Sequence, residues 1–305
     1  MKIAITGATG FVGSRLVEKL NEKKESILIL TRNPERAKKM FPASVFPNLE
    51  IVAYTPKKSG DWQEKIAGCD AIVNLAGESL AEGRWTRDRK REIVESRQVG
   101  TQKIVEAIAN ANPKPQVLIN ASAIGYYGTS ETETFTEKSA SGNDFLAEVC
   151  KKWEAEAEKV KESSVRLVVL RLGIVLGDGG AIAKMLTPFK LFIGGPIGSG
   201  KQWFSWIHRE DAVNLILEAI ARSEITGVYN ATTPNPVRMG EFCQVLGNVL
   251  NRPSWLPVPE FAIEAILGDG AIVVLEGQQV LPQAVETVGF TYQYPTVKSA
   301  LQEIL

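Results

Sequence analysis

The chain has 305 residues, with 35 basic and 35 acidic side chains, one histidine and three cysteines. This length allows one large domain or two unequal ones. The zero net charge removes the electrostatic argument for a nucleic acid or an anionic membrane surface as partner. Three widely spaced cysteines and the lone His208 argue against a disulfide framework and against a metal site. A reducing, cytoplasmic location is therefore predicted.

The sequence shows no targeting or membrane-spanning signal. The N-terminal segment MKIAIT has one lysine and a very short apolar run. The longest candidate for a membrane span, residues 181–198, is interrupted by two lysines and two prolines. We therefore expect a soluble protein without membrane insertion.

Short apolar runs alternate with amphipathic segments along the first 171 residues. The apolar runs predict strands buried on both faces, at residues 3–6, 27–31, 50–53, 71–75, 117–121 and 166–171. Helical periodicity lies between them, at residues 10–20, 93–108 and 145–160. This alternation predicts an α/β fold with a doubly wound parallel sheet.

The second half of the chain has a different pattern. Residues 177–200 are rich in glycine and predict a loop over the sheet. A helix is predicted from Asp211, as its N-cap, to Arg222. Short helices and proline turns follow from Pro234. We predict a dinucleotide-binding domain over residues 1–232, in which 176–207 contribute to the substrate lobe, and a smaller C-terminal lobe over 233–305.

A glycine-rich loop follows the first predicted strand and opens the first helix. Small residues there allow a dinucleotide diphosphate to approach the backbone and to sit on the free N–H groups of the helix. The alternative is a merely tight turn, but the strand before and the helix after the loop favour the binding site. The predicted contacts are Gly7, Thr9, Gly10, Phe11, Val12 and Gly13.

The end of the second strand indicates which dinucleotide is bound. An NAD site expects a carboxylate there for the ribose hydroxyls, whereas this chain has Thr31 followed by Arg32. A guanidinium can bind a 2′-phosphate through paired N–H groups. We therefore predict NADP, as NADPH, with Thr31 and Arg32 in its site; a solvated loop arginine is the alternative.

These motifs resemble the extended short-chain dehydrogenase/reductase superfamily, whose cofactor domain is a Rossmann fold. The glycine spacing, the Tyr127-Gly128 turn, the segment from Gly198 to Asp211 and the run Asn74-Leu75-Ala76-Gly77 all match. The resemblance implies that Leu75, Ala76, Gly77 and Ser122 lie beside the cofactor.

A narrower resemblance is to an atypical branch of that superfamily, an epimerase family of unknown substrate with a C-terminal domain of unknown function. Its marks are residues 121–128, 144–147, 277–282 and 289–290, with Cys150 and Trp153-Glu154. Some cyanobacterial and plastid relatives have been labelled cell-division inhibitors.

The chain departs from the superfamily at the reacting groups. The superfamily uses a tyrosine to transfer a proton, a lysine to lower its pKa, and a serine or threonine to orient the substrate. Alignment places Leu146, Cys150 and Ala123 at those three positions. An arginine that grips a nucleotide-sugar diphosphate is replaced by Phe204. A nucleotide sugar is therefore not the expected substrate.

Three residues remain as candidates for proton transfer or nucleophilic chemistry. Tyr126 and Tyr127 follow the fifth strand, although turn packing is the stronger interpretation. Cys150 lies on an apolar helix face, where a cysteine is usually a core residue. His208 is expected to hold a loop rather than to act as an acid or base.

Four residues are candidates for contact with the substrate: Glu78, Arg84, Trp85 and Trp203. The first three occupy a loop where extended enzymes line their substrate cleft. Ordinary loop surface is an equal alternative for them.

Two functions fit these observations. One is an NADP(H)-dependent oxidoreductase or epimerase acting on a small substrate. The other is an NADP(H)-binding sensor or scaffold without turnover, linked through the labels of its relatives to cell or plastid division. Related folds often dimerise through two long helices, here near residues 90–110 and 143–162, so a homodimer is one predicted assembly.

Overall fold

A computed structural model describes residues 1–80 and 83–305 of the chain. Its centre is a sheet of seven parallel strands in the order β11-β7-β5-β4-β1-β2-β3. The strands are β1 (Lys2–Thr6), β2 (Ser26–Thr31), β3 (Leu49–Ala53), β4 (Ala71–Asn74), β5 (Val117–Ala123), β6 (Thr134–Phe135), β7 (Arg166–Leu172), β8 (Ile174–Leu176), β9 (Trp203–Phe204), β10 (Trp206–His208), β11 (Gly227–Ala231), β12 (Val237–Arg238) and β13 (Gln279–Val280).

Helices cover both faces of this sheet and build the C-terminal region. They are α1 (Phe11–Glu22), α2 (Pro34–Met40), α3 (Arg87–Asn110), α4 (Phe145–Glu158), α5 (Gly180–Lys190), α6 (Arg209–Ala221), α7 (Met239–Leu250), α8 (Glu260–Leu267), α9 (Ile272–Leu275), α10 (Gln283–Thr287) and α11 (Val297–Ile304). The predicted doubly wound parallel sheet is therefore confirmed.

The strands are apolar at successive positions because both faces of the sheet are buried. On one face, Leu16 and Val17 of α1 and Ile216 of α6 pack against alternate strand residues. On the other face, Ile104 of α3 and Ala157 of α4 pack against the remaining ones. The sheet is thus packed on both faces, and its carboxyl edge faces a cleft.

The C-terminal region is built on a core of its own and returns to the main sheet. Phe204, Trp206, Phe242 and Leu301 are buried together in that core. Strand β13 then pairs in parallel with β6, which brings the segment before it across the carboxyl edge of the sheet.

Three details differ from the sequence-based expectations. Strand β11 was not predicted, because its run of Gly227 to Ala231 contains a tyrosine and an asparagine rather than aliphatic residues. The segment predicted as loop contains α5, which includes Pro188. Helix α6 begins at Arg209 with His208, rather than Asp211, as its N-cap. In the described ranges, no helix is both long enough and apolar enough to cross a bilayer.

Candidate functional site

A cleft with a volume of about 590 Å³ opens at the carboxyl ends of β1, β4, β5 and β7. This edge is where parallel α/β sheets bind their ligands. The glycine loop, α3, α4 and the segment before β13 supply its walls. The residues that line the cleft include Gly7, residues 10–13, Leu75, Gly77, Leu80, Arg97, residues 121–125, Asp144, Leu146, Val149, Cys150, Trp153, Trp203, Ser205, Ile272, Val273 and residues 276–278.

Two glycines of the loop lie at positions that leave no room for a side chain. Gly7 has φ +69°, and a Cβ there would lie 2.8 Å from the carbonyl carbon of Leu75. A Cβ at Gly13 would lie 2.3 Å from the carbonyl oxygen of Gly7. Strand β1 therefore turns into α1 directly against the loop after β4.

Helix α1 presents its first amides to this end of the cleft. Its N-cap is Gly10, which offers no side chain to accept from those N–H groups. Gly10, Phe11 and Val12 all line the cleft. A tight loop whose glycines admit no Cβ without a backbone clash, next to uncapped amides, fits the diphosphate of a dinucleotide. Of the other residues predicted for this loop, Thr9 is half-buried and does not line the cleft.

Buried amide and hydroxyl groups hold the loop after β4 in place. Thr6 Oγ1 donates to Asn74 Oδ1 at 2.7 Å and accepts from the N–H of Ala76 at 3.2 Å. Asn74 Nδ2 donates to Asn120 Oδ1 at 2.7 Å and to Thr101 Oγ1 at 2.9 Å. Strands β1, β4 and β5 and helix α3 are thereby fixed relative to one another, with Leu75 and Gly77 at the cleft.

Arg32 lies beyond the end of β2 with 66 % of its side chain exposed. Its Nη1 donates to Glu78 Oε1 at 2.7 Å, while Thr31 is buried and accepts from the N–H of Asn33. Arg89 donates to the other oxygen of Glu78 at 3.2 Å. The hydrogen bond from Arg32 is the main reason that the pKa of Glu78 lies below its usual value. Glu78 itself does not line the cleft.

The three positions that alignment assigned to proton transfer come together in the cleft. Ala123 ends β5, and Leu146 and Cys150 lie one turn apart on α4. All three line the cleft. The thiol of Cys150 donates to the carbonyl oxygen of Ala123 at 3.6 Å. Burial raises its pKa to about 11, so at neutral pH the sulfur is a protonated and weak nucleophile.

The two tyrosines after β5 pack behind the cleft instead of lining it. Tyr127 is 3 % exposed, and its hydroxyl donates to Asn230 Oδ1 at 2.7 Å and accepts from Arg171 at 2.9 Å. The guanidinium of Arg171 stacks 3.3 Å from the centre of the Tyr126 ring. Both rings therefore serve the packing of the turn.

Arg171 belongs to a buried ion pair that supports the floor of the cleft. Its Nε and Nη2 bind the two carboxylate oxygens of Glu154 at 2.9 and 2.7 Å. Burial disfavours the charge of Arg171, but Glu154 overcomes this and raises its pKa above the usual value. Ser122 donates to the same carboxylate at 2.6 Å, so this cleft residue is oriented by α4.

Of the residues predicted to contact substrate, only Trp203 lies in the cleft lining. Its indole N–H donates to the carbonyl oxygen of Glu131 at 3.0 Å. Trp85 is 7 % exposed and packs edge-on against Phe145. Arg84 is exposed beside Gly268. His208 is buried, and its Nε2 lies 3.0 Å from a carboxylate oxygen of Glu303.

Two groups of cleft residues escaped the sequence analysis. One is Arg97, which lies on the inward face of α3 four residues from both Ile93 and Thr101. The sequence signal that could have identified Arg97 is its position as a charged residue on the buried face of a predicted helix. The other is the segment around Gly277, for which a Cβ would lie 2.0 Å from the carbonyl oxygen of Trp203. Ser205 fixes this segment by donating to the carbonyl oxygen of Gln278 at 2.8 Å.

The sheet order, the glycine loop and the cleft at the carboxyl edge define a dinucleotide-binding protein of the extended short-chain dehydrogenase/reductase type. The chain belongs to the NAD dependent epimerase/dehydratase family, which it matches over residues 3–232, and residues 258–304 match a domain of unknown function, DUF1731. Both matches confirm the resemblance drawn from the motifs.

Named relatives are similar along the whole chain. The epimerase family protein SDR39U1 homolog, chloroplastic, of Arabidopsis thaliana is 51 % identical over 308 residues, covering 100 % of this chain and 87 % of the relative. Epimerase family protein YfhF of Bacillus subtilis is 39 % identical over 306 residues, covering 100 % and 98 %. The crystal structure of human epimerase family protein SDR39U1 (isoform 2) with NADPH superposes with a TM-score of 0.88 at 34 % identity, covering 100 % and 99 % of the two chains.

Proposed function

We propose that this protein is an NADP(H)-dependent oxidoreductase that acts on a small, largely apolar substrate. The observation that carries the proposal is the glycine loop opening directly onto a cleft walled by Leu146, Val149 and Trp153. The structurally similar human protein is described with NADPH. A bound NADPH supplies a hydride, so the protein has to provide position and environment.

The residues of the chain divide these tasks between them. The amides of Phe11 and Val12 bind the diphosphate, and the loop after β4, with Leu75 and Gly77, lies beside the ribose. The walls of α4 and the segment before β13 exclude water, which strengthens electrostatic interactions inside the cleft. The division into residues 1–232 and a smaller lobe over 233–305 is part of this proposal, because the smaller lobe supplies Ile272 and Val273.

Arg32 is the residue that we assign to the 2′-phosphate of NADP(H). It is exposed beyond the end of β2 and already binds an anionic carboxylate, that of Glu78. Arg32→Ala should weaken NADPH binding about 10- to 150-fold, because a hydrogen bond to a charged group is worth roughly 1.5–3 kcal/mol. NADH binding should not change. Isothermal titration with both cofactors checks this, with Arg36→Ala on neighbouring α2 as the matched control. Equal losses for both cofactors would show that the assignment is wrong.

The replaced proton-transfer residues set the expected rate and the expected substrates. Positioned proton transfer contributes typically 10²–10⁴-fold, so turnover should be slow. Phe204, at the position of a diphosphate-binding arginine, is 3 % exposed in the C-terminal core. Apolar aldehydes, ketones, enones and quinones are therefore better candidates than nucleotide sugars. Oxidation of NADPH with such a panel, followed by absorbance, tests the enzyme directly. If no member is reduced faster than in the absence of protein, the oxidoreductase proposal fails.

A second candidate function is an NADP(H) sensor without turnover. The observation that favours it is that the positions for proton transfer carry Ala123, Leu146 and the protonated thiol of Cys150 while the glycine loop is intact. Residues 276–278 line the same cleft, so a cofactor there would contact the C-terminal lobe. Hydrogen exchange of residues 258–304 should then differ between the NADPH-bound and NADP⁺-bound protein. Identical exchange in both would exclude a redox sensor.

A further inference from the structure

Arg97 places a cation in a cleft whose other lining residues are apolar, neutral polar or acidic. Among the described residues that line the cleft, Arg97 is the one arginine or lysine. Within residues 1–80 and 83–305, no carboxylate oxygen lies within 4.0 Å of its guanidinium, although 24 ion pairs occur elsewhere in these ranges. A charged group in a low-dielectric site without a counter-ion is costly.

The guanidinium is held rigidly by neutral groups. Nη1 donates to the carbonyl oxygen of Ile93 at 3.2 Å, and Nη2 donates to that of Glu78 at 3.0 Å. Its Cζ lies 5.2 Å from the centre of the Trp153 ring, and it would lie 3.0 Å from a Cβ at Gly77. A guanidinium has five N–H donors, so most of its donors have no acceptor among these described neighbours.

Burial lowers the pKa of Arg97 from its usual value. An arginine nevertheless stays charged throughout the physiological range. The cleft therefore contains a permanent, oriented positive charge rather than a titrating one. Arg32 and Arg97 both contact Glu78, Arg32 at its carboxylate and Arg97 at its carbonyl oxygen, but Arg97 lines the cleft and Arg32 does not.

We propose that Arg97 binds the carboxylate of a small apolar monocarboxylic acid, which is the substrate class of this cleft. This rests on the proposed oxidoreductase function. A planar guanidinium matches a carboxylate through paired N–H···O bonds, and the apolar walls around it suit an aliphatic or aromatic body.

Besides Arg97, the cleft is lined by two acidic residues, which favour a substrate with one negative charge over one with several. Asp144 Oδ1 caps α4 by accepting from the N–H of Ala147 at 2.8 Å. Glu276 accepts from the hydroxyl of Thr129. Neither pairs with Arg97, so both remain available to repel a second anionic group on the ligand.

Matched acids and amides test the proposal on the NADPH-loaded protein. Binding of benzoate and hexanoate, and of benzamide and hexanamide, is measured by ligand-observed NMR. The acids should bind and the amides should not. Arg97→Met should weaken binding of the acids roughly tenfold or more, as expected for loss of a charge-assisted pair. Arg91→Met, which removes an exposed arginine of the same helix, should bind the acids like the wild type.

NADPH affinity of each variant, measured separately, distinguishes the failures. It should be unchanged in Arg97→Met; a parallel loss of NADPH and acid binding would assign Arg97 to the cofactor and overturn the proposal. It is equally overturned if the wild type binds no acid up to about 10 mM, where even weak complexes are detectable, or binds acids and amides alike. Failure of the wild type to bind NADPH would instead refute the proposed function.

If Arg97→Met does not fold, Arg97→Lys decides. The lysine keeps the positive charge but loses the paired geometry of the guanidinium, so this variant should bind the acids more weakly than the wild type.

Discussion

At the end of the cleft that we assign to the diphosphate, the lining residues belong to the glycine loop and the first turn of α1. At the opposite end, they come from α3, β5, α4, β9 and the segment before β13. The first end depends on the absence of side chains at Gly7 and Gly13, where a Cβ would clash with backbone atoms. The second end carries Ala123, Leu146 and Cys150 at the positions where the family resemblance implies proton-transfer groups. Under the proposed function, cofactor binding and substrate chemistry therefore belong to separable parts of the molecule.

The largest expected effect is a loss of stability when the ion pair between Glu154 and Arg171, beneath the second end of the cleft, is broken. Glu154→Ala leaves the buried Arg171 without its counter-ion and should lower the free energy of unfolding by about 3–5 kcal/mol. Chemical denaturation followed by circular dichroism measures this loss. Glu148→Ala, on the exposed side of the same helix, should leave the denaturation midpoint unchanged. Similar midpoints for both variants would mean that this end does not depend on the ion pair.

The next effect concerns the diphosphate end. Gly13→Ala forces a Cβ towards the carbonyl oxygen of Gly7. It should remove NADPH binding and cost about 1–3 kcal/mol of stability, as overpacking does. Gly60→Ala is the control, since a Cβ there meets only Trp62 at 3.5 Å. An alanine variant at position 13 that binds NADPH normally would contradict this role of the glycine loop.

The smallest effect tests how α1 is anchored. Arg15 and Glu210 join α1 to α6 at 2.6 Å. Burial opposes ionisation of Glu210, but Arg15 and Lys19 outweigh it and lower its pKa to about 2. Since the folded-state pKa is depressed, the stabilisation is complete above the unfolded-state pKa, ordinarily 4.5, and is lost as the pH falls towards 2. Between pH 4.5 and pH 2, the free energy of unfolding of Glu210→Gln should fall by about 1–2 kcal/mol less than that of the wild type. Unfolding measured at a series of acidic pH values tests this. Parallel curves for the two proteins would contradict this anchor.

The two ends also differ in how far the sequence predicts them. The glycine loop is recognisable because its residues are consecutive and because strand and helix periodicity frame it. Arg97 and Gly277 lie 180 residues apart in the chain, and only the fold brings them to one cleft. The adjacent residues Tyr126 and Tyr127 illustrate the opposite problem. Tyrosine side chains can transfer protons, which made both residues candidates. The sequence around them does not show that Arg171, 44 residues away from Tyr127, contacts both rings behind the cleft.

The loop-rich composition of residues 177–200 concealed α5 for a related reason. Pro188 and the glycines are poor helix formers, so local propensity favours a loop. In the folded chain Ile182 and Phe189 are buried in the C-terminal core. Tertiary packing therefore overrides the local preference there.

The close approach of Gly277 to Trp203 has a consequence for the size of molecule that the cleft admits. At this point two backbones touch, and no side chain at position 277 can be accommodated without moving one of them. Together with the hydrogen bond from Ser205 to Gln278 and the pairing of β13 with β6, this contact therefore sets how closely the C-terminal wall approaches β9. Any larger residue at 277 would open the cleft and shift its range towards bulkier ligands, while leaving the glycine loop as it is.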